Sequence, residues 1–163
     1  MQSQFIQKKN NIIEVTPEAK ELGFVGLPKK IDNNLLEKIL NKKQVPIISP
    51  LGLGSDNHPY NINGDTAAGA IAKSLKSRRL LLMTNVEGVL DKDKKLINEI
   101  TSTEVLKMVE NNIITEGMIP KINTCLDAVR NGVTAVGIID GRKQHSILFE
   151  IFSDKGSGTL IRK

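Results

Sequence analysis

Apolar residues recur along the chain in two rhythms. Short apolar runs have strand length: Asn11–Val15, Val45–Ser49 (VPIIS), Leu80–Thr84 (LLLMT), Val133–Ile139, Ile147–Phe152 and Thr159–Arg162. A weaker run, Glu21–Gly26, is closed by Leu27-Pro28, and Leu51–Pro59 reads as a glycine-bearing loop. Between these runs the spacing turns helical. Asp32 is placed to cap a helix carrying Leu35, Leu36, Ile39 and Leu40. A second helix spans about Asp65 to Lys76. Thr101 with Glu104 three residues on forms a capping box before Val105, Leu106 and Val109. A fourth helix starts near Gly117-Met118, with Pro120 in its first turn and Gly132 as its stop. Its buried face is Met118, Ile122, Cys125, Leu126 and Val129. Val89-Leu90 opens a small hairpin or strand after the turn at Glu87-Gly88.

Strands alternating with helices predict βαβ units, a mostly parallel sheet and an α/β fold. LLLMT has the continuous apolar character of a strand buried on both faces. Ligands in such sheets bind beyond the carboxyl ends of strands. The segments leaving Ile48, Met83 and Ile139, and the helix start near Gly117, are therefore where chemistry is expected.

Composition narrows this only a little. The net charge of +5 admits an anionic partner, but the lysines come in short pairs (Lys8-Lys9, Lys29-Lys30, Lys42-Lys43, Lys94-Lys95) and aromatics are 3% of residues. A solvated surface accounts for this pattern, and nucleic-acid binding has little support. With one cysteine, Cys125, no internal disulfide can form. Cys125 lies on an apolar stripe and reads as a core residue. His58 and His145 have no ligand spacing around them, so no metal site is expected. No apolar run approaches a membrane span, and the polar start, Met1 to Asn11, is not a secretory signal and reads as poorly ordered.

Three segments carry candidate chemistry. In LGLGSDNHPYNINGD (Leu51–Asp65), Asn61, Asn63 and Asp65 alternate just before a helix, which aims polar side chains into one cleft. A plain Asn/Gly turn with Asp65 as helix cap explains the segment about as well. Thr84–Leu90 (TNVEGVL) follows a buried strand and could hold a base or ribose through backbone groups; a simple connection is the bland alternative. In Ile114–Lys121 (ITEGMIPK), Thr115 can cap, Gly117 lets the chain approach an anion, and the helix start offers free N–H groups. Lys121 opposes the helix dipole there, so a phosphate partner would explain it, against a solvated surface lysine. No GxxxxGK[ST] loop occurs.

YNINGD (Tyr60–Asp65), TNVEGVL (Thr84–Leu90), GMIPK (Gly117–Lys121) and ILFEIFSDKGSGTLI (Ile147–Ile161) together resemble the amino-acid kinase family, in its N-acetylglutamate kinase branch. The matches run in that family's order from about Ile13 to the C-terminus. The resemblance implies a three-layer αβα sandwich of carbamate-kinase type with the N-terminal lobe largely missing. Residues 1–65 would be a remnant of the acetylglutamate-binding lobe and 66–163 the nucleotide-binding lobe. It implies phosphorylation of the side-chain carboxylate of N-acetyl-L-glutamate by ATP with Mg²⁺, a step of arginine synthesis. The nucleophile is already an anion, so catalysis would be positioning and charge neutralisation. By similarity Lys121 and Asp65 are catalytic and Asn61 holds the substrate. Asn85, Val86, Glu87, Gly88, Val89, Leu90, Ile113, Ile114, Thr115, Gly117 and Met118 line the ATP site. Glu150 and Gly156 match positions that bind arginine as effector in inhibited members; otherwise Glu150 reads as a solvent-facing strand residue.

The resemblance also exposes departures. The family's Lys-x-Gly-Gly strand, His-Gly-Gly-Gly loop and substrate-gripping arginine have no counterpart, and these 163 residues contain no Gly-Gly pair. Asn85 stands where the family usually has an acid. The expectation is a chain with little activity alone: a fragment, a subunit completed by a separate first half, or a degenerate protein. A non-catalytic nucleotide- or arginine-binding module is the alternative. The family further implies a homo-oligomer when complete and, in plastid-type relatives, a nitrogen-signalling regulatory partner; heavy use of Lys, Asn and Ile, as in products of AT-rich bacterial or plastid genomes, points to a cytoplasmic or plastid-stromal location, and neither nucleic acid nor membrane is expected as a partner.

Overall fold

The computed structural model describes residues 12–18, 23–114 and 116–163. The reading of Met1–Asn11 as poorly ordered, the starts of the strands expected from Asn11 and from Glu21, and the role of Thr115 lie outside these residues. The chain forms two compact units, residues 1–74 and 75–163.

The first unit contains β1 (Ile13–Pro17), β2 (Gly26–Ile31), α1 (Asn33–Asn41), β3 (Leu51–Gly54), β4 (Pro59–Asn61) and α2 (Gly64–Ser74). Its sheet runs β2-β1-β3-β4, with β1 and β3 parallel and the two outer pairs antiparallel. Ile13, Val15, Tyr60, Ile62 and Ala67 form its core. Asp32 caps α1 as expected, accepting from the Leu35 N–H at 3.0 Å.

Two expectations fail in this unit. Pro28 does not end a strand; it lies inside β2, because β2 is an edge where a missing N–H breaks no ladder. A bulge between Glu14 and Val15 takes up the extra residue Lys29 opposite. Second, Val45–Ser49 is not a strand, and the expected loop after it supplies β3 and β4. Glycine decides this. A Cβ on Gly52 would overlap Val15 Cγ1, so only glycine lets β3 lie this close to β1.

The second unit contains β5 (Arg79–Thr84), β6 (Glu99–Thr101), α3 (Ser102–Glu110), a short 3₁₀ turn (Glu116–Met118), α4 (Ile119–Arg130), β7 (Ala135–Asp140), α5 (Ser146–Phe152) and β8 (Thr159–Arg162). Its sheet order is β5-β7-β8-β6. β5–β7 and β8–β6 are parallel and β7–β8 is antiparallel. β7 is buried at every position, with α4 and α5 packed on it. On β5 burial alternates: Leu80 and Leu82 are inside and Met83 is exposed, so one face only is fully covered, not both.

The Thr101–Glu104 capping box is complete. The face of α4 is as expected at Ile122, Cys125, Leu126 and Val129, while Met118 is only half-buried. Leu90 and Leu96 bridge to close the expected hairpin. Ile147–Phe152 is a correction: it is the helix α5. The apolar residues of the run that suggested a strand are exposed, and its one charged residue, Glu150, is the one that is buried. The partners of Glu150, described below, give the reason.

Candidate functional site

In the first unit the glycines of β3 allow a tight hairpin. Asp56 in its turn accepts from the Tyr60 hydroxyl at 2.8 Å. That bond, with help from the His58 N–H, holds the Asp56 carboxyl below its ordinary value and raises the Tyr60 phenol. Phe24 stacks on His58 and meets Tyr60 edge-on. The hairpin delivers Asn61, exposed, to the end of β4. Asn63 then caps α2: its Oδ1 accepts from the N–H groups of Asp65 at 3.0 Å and Thr66 at 3.2 Å. The cap is therefore Asn63, not Asp65. Asp65 sits half-buried in the first helical turn, where a carboxylate is favoured by the dipole.

In the second unit β5 and β7 run in register, Thr84 beside Asp140, so both release their chains at one end. The Gly141 N–H donates to the Thr84 carbonyl at 2.8 Å and binds the two exits together. The expected ATP segment 85–90 leaves from here. Its anchor is Thr159, a residue that sequence reasoning passed over. The Thr159 hydroxyl accepts from the Val89 N–H at 2.8 Å and donates to the Ile97 carbonyl at 2.6 Å. Gly88, at φ +149°, lies so close that a Cβ would come within 2.5 Å of Thr159 Oγ1. Val89 is buried beneath, while Asn85, Val86, Glu87 and Leu90 face outward.

Glu87 is fixed by Lys143 at 3.1 Å. Asp140 is held by its neighbour: Arg142 Nε and Nη2 donate to its two carboxylate oxygens at 3.0 and 2.9 Å, and the Arg142 N–H adds a third bond at 2.9 Å. These bonds lower the Asp140 carboxyl to about 2, against the opposing effect of burial. The exit of the parallel pair thus has a rim on which Asp140 and Glu87 are each paired with a cation.

Helix α4 turns through residues 131–134 into β7 and so runs antiparallel to it. Its N-terminus consequently lies at the end where β7 and β5 release their chains. Met118 occupies the N-cap position, where its side chain makes no capping bond. Gly117 is exposed, and a Cβ there would meet nothing within 4 Å. Ile114 is buried and Ile113 borders it. Lys121 is the third residue of α4 and half-buried. Amide N–H groups without a side-chain cap, followed by an ammonium, form an anion-favouring helix start.

Glu150 and Gly156 are brought together. A Cβ on Gly156, whose φ is +66°, would come within 2.7 Å of Glu150 Oε2. That oxygen accepts from the Ser157 N–H at 2.9 Å. Arg79 reaches Glu150 from β5, at 3.7 Å to Oε1 and 3.2 Å to its backbone carbonyl. Glu150 is therefore a buried, paired helical residue and not a solvent-facing strand residue. Its two polar partners fix which face of α5 points inward, and the apolar neighbours are left outside.

Elsewhere, a polar cleft of about 370 Å³ opens at the start of α1 between Glu14, Lys30, Asp32 and Asn33 and contains none of the expected site residues. Among the described residues no group of three His, Cys, Asp or Glu could hold a metal, and no helix is long and apolar enough to cross a membrane. Nothing in composition pointed to Thr159 or to the Asp140–Arg142 pair. The sole signal for Thr159 was its place between two glycine-bearing turns and a strand, GSGTLI.

The amino acid kinase family matches residues 1–140. Acetylglutamate kinase of Pelagibacter ubique (strain HTCC1062) is 57% identical over 156 residues, covering 96% of this chain and 54% of that protein. Acetylglutamate kinase of Brucella abortus (strain S19) is 46% identical over 162 residues with the same coverage. The chain spans about half the length of the curated relatives it matches. Among solved structures, N-acetylglutamate synthase from Neisseria gonorrhoeae, complexed with coenzyme A and L-arginine, has a TM-score of 0.86 at 24% identity over 99% of this chain and 40% of that one. The smu.665 protein of Streptococcus mutans UA159 gives 0.76 at 34% identity, over 93% and 56%. Carbamate kinase from Giardia lamblia bound to AMP-PNP gives 0.63 at 22%, over 85% and 47%. The likenesses at 22% and 24% speak for the fold alone, which is the α/β fold the resemblance implied.

Proposed function

This chain belongs to the amino acid kinase family, and on that premise we propose that it works as part of an enzyme transferring the γ-phosphoryl group of ATP to the side-chain carboxylate of N-acetyl-L-glutamate, in arginine biosynthesis. What carries the reading is 57% identity to an acetylglutamate kinase along 96% of the chain. The start of α4, where the N-cap residue Met118 makes no side-chain capping bond and Lys121 follows in the first turn, supports it chemically.

In the proposed reaction a carboxylate oxygen attacks the γ-phosphorus, the bond to the β-phosphate oxygen breaks, and ADP leaves. The nucleophile arrives ionised, so no general base is needed. Lys121 and the α4 N–H groups neutralise charge that builds on the phosphoryl oxygens. Residues 85–90 and 113–118 receive the nucleotide, which enters as MgATP. Asn61 holds the acetylglutamate and Asp65 orients the lysine.

The test is complementation. The chain is mixed with the part of the Pelagibacter ubique relative that it does not match, and acetylglutamate-dependent ADP release is measured. Activity that appears only in the mixture, and falls about 10²–10³-fold with Lys121→Ala, is the expected result. A mixture that binds ATP but never phosphorylates acetylglutamate overturns it.

A second reading, a module that senses arginine, draws on one observation: the Glu150 carboxylate beside Gly156 already faces a guanidinium, that of Arg79. Free arginine would have to take that place. Calorimetry with L-arginine tests this, since Arg79→Ala should tighten binding if the two compete, and an unchanged or absent heat rejects it.

A further inference from the structure

The turn at residues 156–158 ties α5 to the segment 85–90. Glu150, buried on α5, accepts the Ser157 N–H on Oε2 at 2.9 Å. The Ser157 hydroxyl donates to the Ser146 carbonyl at 2.9 Å, so the turn is bonded to α5 twice. A Cβ on Gly156 would press on the Glu150 carboxylate, and one on Gly158 would overlap the Ile138 carbonyl of β7. The turn is therefore held between α5 and β7. It leads directly into Thr159, whose hydroxyl holds the Val89 N–H and the Ile97 carbonyl. Gly88 packs on Thr159 without room for a Cβ, so a shift of the turn is passed on to Gly88 and Val89.

We infer that Glu150 is a positioning residue for the nucleotide: it seats the turn 156–158 and, through Thr159, sets the place of residues 85–90. The inference rests on the reading of 85–90 as part of the nucleotide site. Asn85, Val86, Glu87 and Leu90 face outward around the Thr159 anchor, so the backbone beneath them fixes how they meet a ligand. What the turn needs from Glu150 is an acceptor oxygen and not a charge. Ser157 offers a neutral amide, whereas Arg79, 3.7 Å from Oε1, is exposed enough to turn to water. Glutamine at position 150 keeps an oxygen for Ser157, and leucine keeps only the bulk.

The experiment measures the Kd of MgATP by calorimetry on the full 163-residue chain, with hydrogen exchange at Val89 and Ile97. Both are read at a temperature where far-UV circular dichroism shows each variant folded. Glu150→Leu should weaken MgATP about tenfold, the effect of one lost hydrogen bond, and speed exchange at Val89. Glu150→Gln should bring both back to within about threefold of the parent. Thr159→Val should weaken MgATP at least as much as Glu150→Leu. The double variant should be no weaker than Thr159→Val alone, because the two residues act along one path. Exchange at Gly54 and Ile62, bonded amides of the first unit, should stay unchanged. Should Glu150→Leu not fold, Glu150→Asp takes its place, since it draws the carboxylate back from Ser157 by one methylene. Absence of MgATP binding by the parent, unchanged affinity in Glu150→Leu, a Glu150→Gln variant as weak as Glu150→Leu, or additive losses in the double variant overturns the inference. A chain that responds as described, yet never phosphorylates acetylglutamate when mixed with the unmatched part of the relative, leaves the role of Glu150 standing and removes the kinase reading.

Discussion

Replacing Thr159 with Val keeps the shape of the side chain and removes only its hydroxyl. Thr159 is 1% exposed. Its oxygen is the acceptor for the Val89 N–H and, as donor, satisfies the Ile97 carbonyl. The substitution leaves a buried amide without its acceptor, which costs about 1–3 kcal/mol, and loses a second bond worth about 1 kcal/mol. The total is about 2–4 kcal/mol, or roughly 5–12 °C in Tm for a chain of this size. Thr159→Ser is the control: it keeps the hydroxyl and loses one buried methyl, about 1 kcal/mol. Urea unfolding of the three proteins measures the difference. Residues 85–90 are expected to lose their anchor as well, so hydrogen exchange at Val89 should speed up in the Val variant and stay slow in the Ser variant. If Thr159→Val is as stable as Thr159→Ser, the hydroxyl does not hold this segment and the reasoning is wrong.

Gly158→Ala places a Cβ on the Ile138 carbonyl, so the β7–β8 ladder must part; a loss of about 3 kcal/mol or more is expected in the same unfolding assay. Asp140 gives a pH signature. Its carboxyl is near 2 in the folded chain and about 3.9 unfolded, so its contribution is fully present above about pH 4 and is lost as pH falls toward 2. The urea midpoint of Asp140→Asn should therefore vary less between pH 5 and pH 2.5 than that of the parent; equal slopes would refute the pairing with Arg142. Thr101→Ala removes one half of the capping box and should cost about 1 kcal/mol in the same assay.

The sequence determined what depends on near neighbours. Asp32 and the Thr101–Glu104 box set helix starts through bonds that reach three residues, and Pro120 and Gly132 mark the two ends of α4 through their own backbone preferences, so they could be read directly. The apolar stripe of α4 and the runs that became β5, β7 and β8 were equally plain, as were the segments that resemble the kinase family. Tertiary structure decided whatever depends on a residue far along the chain. VPIIS and ILFEIF have strand composition, yet neither forms a strand here. The first finds no backbone partner among the described residues. The second is turned into a helix face by Arg79, 71 positions away, and by Ser157, both binding Glu150. β3 exists because Gly52 fits under Val15, and Thr159 matters because the chain returns 70 residues later to meet Val89. Capping and periodicity are local energies and are written in order along the sequence. Strand pairing, close approach and buried polar partnership depend on which distant groups meet, and only the folded chain fixes that.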